Sequence, residues 1–388
     1  MVSKLLLLGY LGNIQHTDEE LVHVSPTRSR EMALEFSKLG FDTTAAVYWA
    51  TAAKRLSSTL EYKHIDQIDA EDYDIVFHHL VLSIQQIYDL AHGNKITQGA
   101  QEYGKDQKRF QAIIDHPRKY LQLDAPRPLY KEPKVSDRLV GGFNAVGVAT
   151  ENAVPIWKNM YPHSNVEWVN AATIAYKYPK GPISPYFVNG NPNVIYLGRM
   201  NDASEVTPLD KIHSIAHRLP DVNFHIVTNK IRDSKTDKVF AINELQTGSG
   251  RELRYHDAQK LIQLSNIYLH RGSTYAQSFD WMHYADVALG FTVRPHQDVA
   301  SCKSWEYFGN GIPAVLEEWT PETWIINQMP AAGEIAKYGN WDDFAEKIKM
   351  VLNNPKKYKR RKVRHYIAEN HGYDSRAKQW SSIMEKYA

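Results

Sequence analysis

The sequence predicts an α/β protein of two similar domains facing each other across a cleft. Three observations lead there. Short apolar runs recur, each followed by a glycine or polar turn and then a helical pattern, as in βαβ units. The stretch Tyr178–Asn193, with four prolines, separates two such series. The length of 388 residues suits two domains at roughly 100–200 residues each.

Composition narrows the class. Apolar residues make up 43% and charged residues 23%, ordinary for a globular protein. There are 46 basic and 44 acidic side chains, so the net charge is +2 and no global positive field marks a nucleic-acid coat. One cysteine, Cys302, excludes an internal disulfide framework and a cysteine-based zinc cluster. Its expected role is a small helix residue packed inward. The longest apolar runs, such as Leu5–Leu8, fall short of the ~18 residues of a membrane span. Lys4 before that run imitates a secretion signal, but no small-residue cleavage site follows. The expected location is cytoplasmic, with peripheral membrane contact left open.

The first series opens on a buried strand, Lys4–Gly9, and a turn through Gly9, Gly12 and Asn13. Ser25 or Thr27 is placed to cap a helix over Arg30–Leu39, with Met32, Phe36 and Leu39 on one face and Gly40 as its stop. Phe41–Trp49, Tyr73–Leu80 and Lys119–Leu123 read as strands, the last after a helical stretch Lys105–Ile114. In the second series the expected strands are Asn193–Leu197, Val222–Thr228, Tyr268–His270, Ala285–Phe291 and Ile312–Leu316. Helices are expected over Lys211–Arg218, Asp298–Phe308 and Trp341–Leu352, with the last helices in Ala368–Ala388. The domains are therefore set at 1–185 and 186–365, with 366–388 as helices crossing back to the N-terminal domain.

The segment Lys303 to Val315 carries the sharpest local chemistry. A helix that begins at the C-terminal edge of a sheet offers free N–H groups and a dipole to an anion. Lys303 in its first turn adds a full positive charge. Glu306, one turn on, points to the same edge, where a carboxylate suits the two hydroxyls of a ribose. The alternative is an ordinary amphipathic helix with a surface Lys–Glu pair.

This segment, read as basic–x–x–Glu–aromatic–x–Gly–x–Gly–x–Pro–x–Val, resembles the nucleotide-sugar motif of GT-B glycosyltransferases. That resemblance implies two Rossmann-like domains, a C-terminal one for the donor and an N-terminal one for the acceptor. Val194–Leu197 with Gly198 and Arg199 resembles the first strand of the donor domain, whose basic residue approaches the diphosphate. The implied donor-binding set is Gly198, Arg199, Ser301, Lys303 and Glu306. A narrower likeness joins Tyr120–Leu129 to tailed-phage DNA β-glucosyltransferases, in which an aspartate after a strand is the catalytic base. The xanthan-type bacterial glucuronosyltransferases share much of the same plan. The resemblance thus implies a UDP-sugar as co-substrate and no tightly bound cofactor, with magnesium or manganese at most held loosely on the diphosphate. Duplex DNA carrying 5-hydroxymethyl pyrimidines is the expected acceptor. A saccharide or lipid-linked acceptor of envelope polysaccharide synthesis is the alternative. Retaining members of the fold carry two glutamates eight positions apart. Position 314 is Ala314, which favours inversion.

Asp124 can be argued from chemistry as well. Displacement at an anomeric carbon needs a base for the attacking hydroxyl and stabilisation for the leaving diphosphate. Asp124 follows a predicted strand, where doubly wound domains place ligands. The alternative is an aspartate bonded to a loop N–H or paired with Arg127. Gly12, Asn13, Arg127 and His78 complete the candidate acceptor set. A buried, satisfied histidine is the competing reading of His78. The 17 histidines show no His-Glu-x-x-His spacing and no metal constellation. The block Lys356–His365 holds seven Lys and Arg residues. It suits phosphates of DNA or anionic lipid, against the simpler reading of a solvated helix face.

Overall fold

The computed structural model describes residues 2–9, 24–47, 54–79, 87–89, 91–92, 107–123, 139–178, 190–198, 208–228, 230–232, 239–241, 264–271, 275–292 and 302–388. They form two compact units: Met1–Ala172 with His371–Ala388, and Thr173–Gln297 with Ser301–Asn370.

The first unit is built on eight strands, β1 (Lys4–Leu8), β2 (Asp42–Val47), β3 (Lys54–Ser57), β4 (Leu60–His64), β5 (Ile75–His79), β6 (Lys119–Leu123), β7 (Ala145–Val148) and β8 (Val166–Trp168). Their order is β3-β4-β2-β1-β5-β6-β7-β8. Every pairing is parallel except β3 with β4, a hairpin at the edge. The strands at the centre are buried throughout and mostly apolar because both faces are covered. On one face Leu6, Leu8, Val76, Leu121 and Val146 meet Phe110 and Ile113 of the helix Gln107–Ile114, and Trp157 of the helix Ala153–Met160.

The other face is closed by two helices far apart in sequence, Val24–Lys38 and the C-terminal Tyr373–Lys386, which pack on each other. Trp380 anchors the second. It is fully buried, 4.9 Å edge-on to Phe77, and its indole N–H donates to Gln122 Oε1 at 2.8 Å. A Cβ on Gly147 would lie 2.3 Å from the Trp380 ring, so this strand position must stay bare for the indole to lie flat. Tyr120 Oη donates to the Met384 carbonyl at 3.2 Å, fixing the same helix near its end.

The second unit holds β9 (Asn193–Leu197), β10 (Asn223–Thr228), a small antiparallel pair β11 (Lys230–Arg232) and β12 (Val239–Ala241), then β13 (Ile267–Arg271), β14 (Val287–Gly290), β15 (Ala314–Glu317) and β16 (Gly333–Ala336). Six of these form a wholly parallel sheet, ordered β13-β10-β9-β14-β15-β16. The chain leaves β9 toward β10 on one side and later returns to place β14 on the other. The gap between β9 and β14 is therefore the topological switch point of a doubly wound sheet. In the first unit the switch point falls between β1 and β5 by the same rule.

Several expectations are corrected in detail. The first helix begins at Val24, so Ser25 and Thr27 lie within it rather than before it. Leu39 is 39% exposed and belongs to the turn that ends this helix, not to its core face. The hairpin β3–β4 lies between Trp49 and Tyr73, where no element was expected. The helix expected from Asp298 is described from Cys302. The terminal helices begin at Arg360 rather than Ala368 and break between Asn370 and Tyr373.

Replacing Trp380 with alanine removes a fully buried indole and strands Gln122, and is expected to cost about 3–5 kcal/mol. Denaturant unfolding of Trp380→Ala against the parent chain measures it.

Candidate functional site

The carboxyl end of β9 organises the second unit. Gly198 follows the strand with φ +126°, a conformation that side chains rarely adopt. A Cβ there would stand 3.4 Å from both Cε and Nζ of Lys303. The lysine therefore passes over the end of the central strand, beside the switch point. It arrives from the helix Cys302–Gly309, which lies between β14 and β15 in the chain.

That helix leaves little choice of face. Ser304, Trp305, Tyr307 and Phe308 are buried, whereas Lys303 and Glu306 are half-buried. Three residues apart, these two share the stripe that remains accessible. The helix is pinned from below by Tyr307, whose hydroxyl accepts the Leu197 N–H of β9 at 2.9 Å. Complete burial drives the Tyr307 phenol well above its ordinary range, so it stays protonated. Past the helix, Gly311 has φ +75° and packs so close to the Arg360 carbonyl that no side chain fits. Lys303 Nζ donates to Tyr196 Oη at 2.7 Å and lies 4.3 Å from the centre of that ring.

A buried ion pair fixes the neighbouring strand ends. Lys211 Nζ donates to Glu317 Oε2 at 2.9 Å and to the Thr292 carbonyl at 3.2 Å. Glu317 also accepts the N–H groups of Thr292 at 2.9 Å and Gly339 at 3.2 Å. Its side chain is wholly buried and that of Lys211 nearly so. One carboxylate thus joins the residues just beyond β14 and β16 to the end of β15 and to the helix Pro208–Ala216.

The predicted residues fare unequally. Gly198 and Lys303 are brought into contact, and Glu306 lies on the same helix stripe. Arg199, Ser301, Asp124, Arg127, Gly12 and Asn13 lie outside the described residues. β6 ends at Leu123, the residue before Asp124. His78 is fully buried in the first unit, edge-on to Phe143 at 5.4 Å. Both its ring nitrogens lack a hydrogen-bond partner among the described residues. Burial, with Lys119 nearby, pulls it down to about 3, so it is a neutral core side chain there. Its neighbour His79 faces the other way, 3.0 Å from Ser29 Oγ. In the second unit His225 and His270 are in contact at 3.0 Å, and Asn193 Oδ1 meets His225 Nε2 at 3.0 Å. Burial lowers the pair to about 4 and about 3.

Sequence reasoning missed Tyr196, Lys211 and Glu317. A lysine among the apolar positions Leu209, Ile212 and Ile215 was the available signal for Lys211. The basic block is partly structural. Arg364 donates to the carbonyls of Tyr176 and Tyr178, Arg360 to Met282, and Lys357 to Glu334. Among the described residues no group of three or more His, Cys, Asp or Glu could hold a metal ion. No helix among them is long and apolar enough to cross a membrane.

Comparison with known proteins agrees with this geometry. Residues 211–382 match the family model described as glycosyl transferase-like. No curated protein matches the sequence. Among solved structures, the sucrose-phosphate synthase of Thermosynechococcus elongatus is 9% identical with a TM-score of 0.65, covering 99% of this chain and 98% of that one. The E. coli trehalose-6-phosphate structure bound with UDP-2-fluoro glucose is 12% identical with a TM-score of 0.62, covering 98% and 99%. Anabaena Alr3699/HepE in complex with UDP and glucose is 11% identical with a TM-score of 0.63, covering 99% and 100%. The fold is GT-B, with two Rossmann-like units.

Removing the buried cation alone leaves Glu317 uncompensated. Lys211→Met is expected to destabilise by about 3–5 kcal/mol, with part of that recovered in Lys211→Met/Glu317→Gln. Denaturant unfolding of the single and double variants measures both.

Proposed function

We propose that the protein is a nucleotide-sugar-dependent glycosyltransferase whose second unit binds a UDP-sugar. One observation carries the reading: a lysine and a glutamate share the accessible stripe of a helix, and the lysine lies over a glycine at the carboxyl end of the strand beside the switch point. Lys303 would bind the diphosphate and Glu306 the ribose hydroxyls, with Arg199 and Ser301 completing the donor set. The family model over residues 211–382 supports this, as do the similar structures in complex with UDP or a UDP-sugar.

The reaction follows from that placement. The acceptor hydroxyl oxygen bonds to the anomeric carbon as the bond to the diphosphate breaks. The hydroxyl proton passes to a base, and UDP leaves with its charge held by Lys303 and the helix N-terminus. Asp124, directly after β6, is the proposed base. The argument from Ala314 does not decide stereochemistry, because eight positions before Glu306 stands another acid, Asp298. The anomeric configuration of the product decides it.

For the acceptor, two readings have an observation each. The likeness of Tyr120–Leu129 to phage enzymes favours 5-hydroxymethyl pyrimidine in DNA. The commitment of Lys357, Arg360 and Arg364 to contacts within the fold withdraws cations from phosphates and favours the saccharide acceptor instead. The experiment measures UDP release from a panel of UDP-sugars with modified DNA, plain DNA, saccharides and no acceptor, each with and without a chelator. Release stimulated only by modified DNA establishes the first acceptor, and stimulation by saccharide the second. Silence with every donor and acceptor sinks the transferase reading.

Asp124→Asn is expected to lower the transfer rate at least ~100-fold while UDP affinity stays at the parent value; steady-state rates beside calorimetric binding separate the two. Glu306→Ala is expected to weaken UDP about tenfold by removing charge-assisted bonds to the ribose, and unchanged affinity in calorimetry would remove its role.

A further inference from the structure

We propose that Tyr196 is a positioning residue: its phenol holds the Lys303 ammonium over Gly198, ready for the donor diphosphate. The inference rests on the assignment of Lys303 to that diphosphate. A lysine is a point charge on a flexible four-carbon stem, and binding an anion requires its rotamer freedom to be given up. Here that freedom is already restricted. The ammonium donates to Tyr196 Oη at 2.7 Å and lies 4.3 Å from the ring centre, where the negative face of the π-system attracts it. Its stem and head touch the bare Cα side of Gly198.

Tyr196 is itself held. It is 2% exposed, sits next to last on β9, and packs 5.7 Å from Phe291 within the apolar core of the second unit. Its hydroxyl is therefore a fixed point at the edge of the sheet. The chemistry of the partner matters equally. A neutral phenol oxygen orients an ammonium without cancelling its charge. Lys211 shows the contrast: it faces the carboxylate of Glu317 and is neutralised inside the fold.

The test is a double-mutant cycle read by calorimetric UDP binding, with Tyr196→Phe and Lys303→Met alone and together. Tyr196→Phe keeps the ring and the core and removes the hydroxyl. It is expected to weaken UDP about 3–10-fold, the equivalent of re-immobilising one long side chain. In the Lys303→Met background the same change is expected to have no further effect. The thermal midpoint of each variant, measured alongside, checks that the fold is kept. Unchanged UDP affinity in Tyr196→Phe overturns the proposal. So does an equal loss in both backgrounds, which would mark a purely structural tyrosine. If Lys303→Met alone binds UDP like the parent chain, the donor-site reading fails first and the positioning role fails with it.

Discussion

The buried carboxylate of Glu317 is the constraint on which the second unit depends. A charge with no exposed surface survives only when its lone pairs are filled. Here the donors are one lysine from a distant helix and two backbone N–H groups just beyond β14 and β16. Each donor belongs to a different segment, so the carboxylate ties a helix and three neighbouring strand ends to one point. Parallel strands make no such link through hairpins, and their carboxyl ends would otherwise be joined only through long crossovers. The edge of the sheet that carries ligands in doubly wound folds is thereby made rigid from below.

That rigidity explains how a short helix can present two accessible charged side chains. Eight residues form barely two turns, too few for a helix to be stable on its own. Four of its side chains are buried, and Tyr307 bonds to the backbone of β9, so tertiary packing supplies what length does not. The two positions left over, Lys303 and Glu306, are of opposite charge and lie one turn apart. Packing thus selects the accessible face by elimination. The glycines play the complementary part. Gly198 takes the positive φ that ends β9 beside the lysine, and Gly311 lets the chain turn beneath Arg360 into β15.

The legibility of the sequence follows from these physical differences. β6 and β9 were readable to the residue because buried parallel strands are mostly apolar runs between turn signals. Lys303 and Glu306 drew attention through their spacing on one helix and Gly198 through the resemblance, and the fold places Lys303 beside Gly198 and Glu306 on the same helix stripe. The edge hairpin β3–β4 was not readable, since Lys54–His64 mixes charged and apolar residues without a clear period. The buried pair was not either: Lys211 and Glu317 lie 106 positions apart, and only the fold brings them together. His78 was ambiguous for a related reason. A strand-end histidine reads alike whether its ring faces a ligand or the core, and here Phe143 and the apolar face of the sheet decide.

The basic block shows why composition alone misleads about partners. Seven positive side chains in ten residues look like a phosphate-binding stripe. Within the fold they divide by depth. Arg360 is buried enough that its guanidinium is pulled down from its ordinary value, although Asp286 offsets part of that cost. Arg364 serves as a bracket for two carbonyls near Tyr178, and Lys357 with Tyr358 holds Glu334 on β16. Lys356, Lys359, Arg361 and Lys362 stay exposed, as does Lys357 beside its pairing with Glu334. Each phosphate contact adds to the salt dependence of duplex binding, and the cations committed inside the fold are withdrawn from that count. A saccharide makes no such demand, because its hydroxyls are met by a few well-placed polar groups.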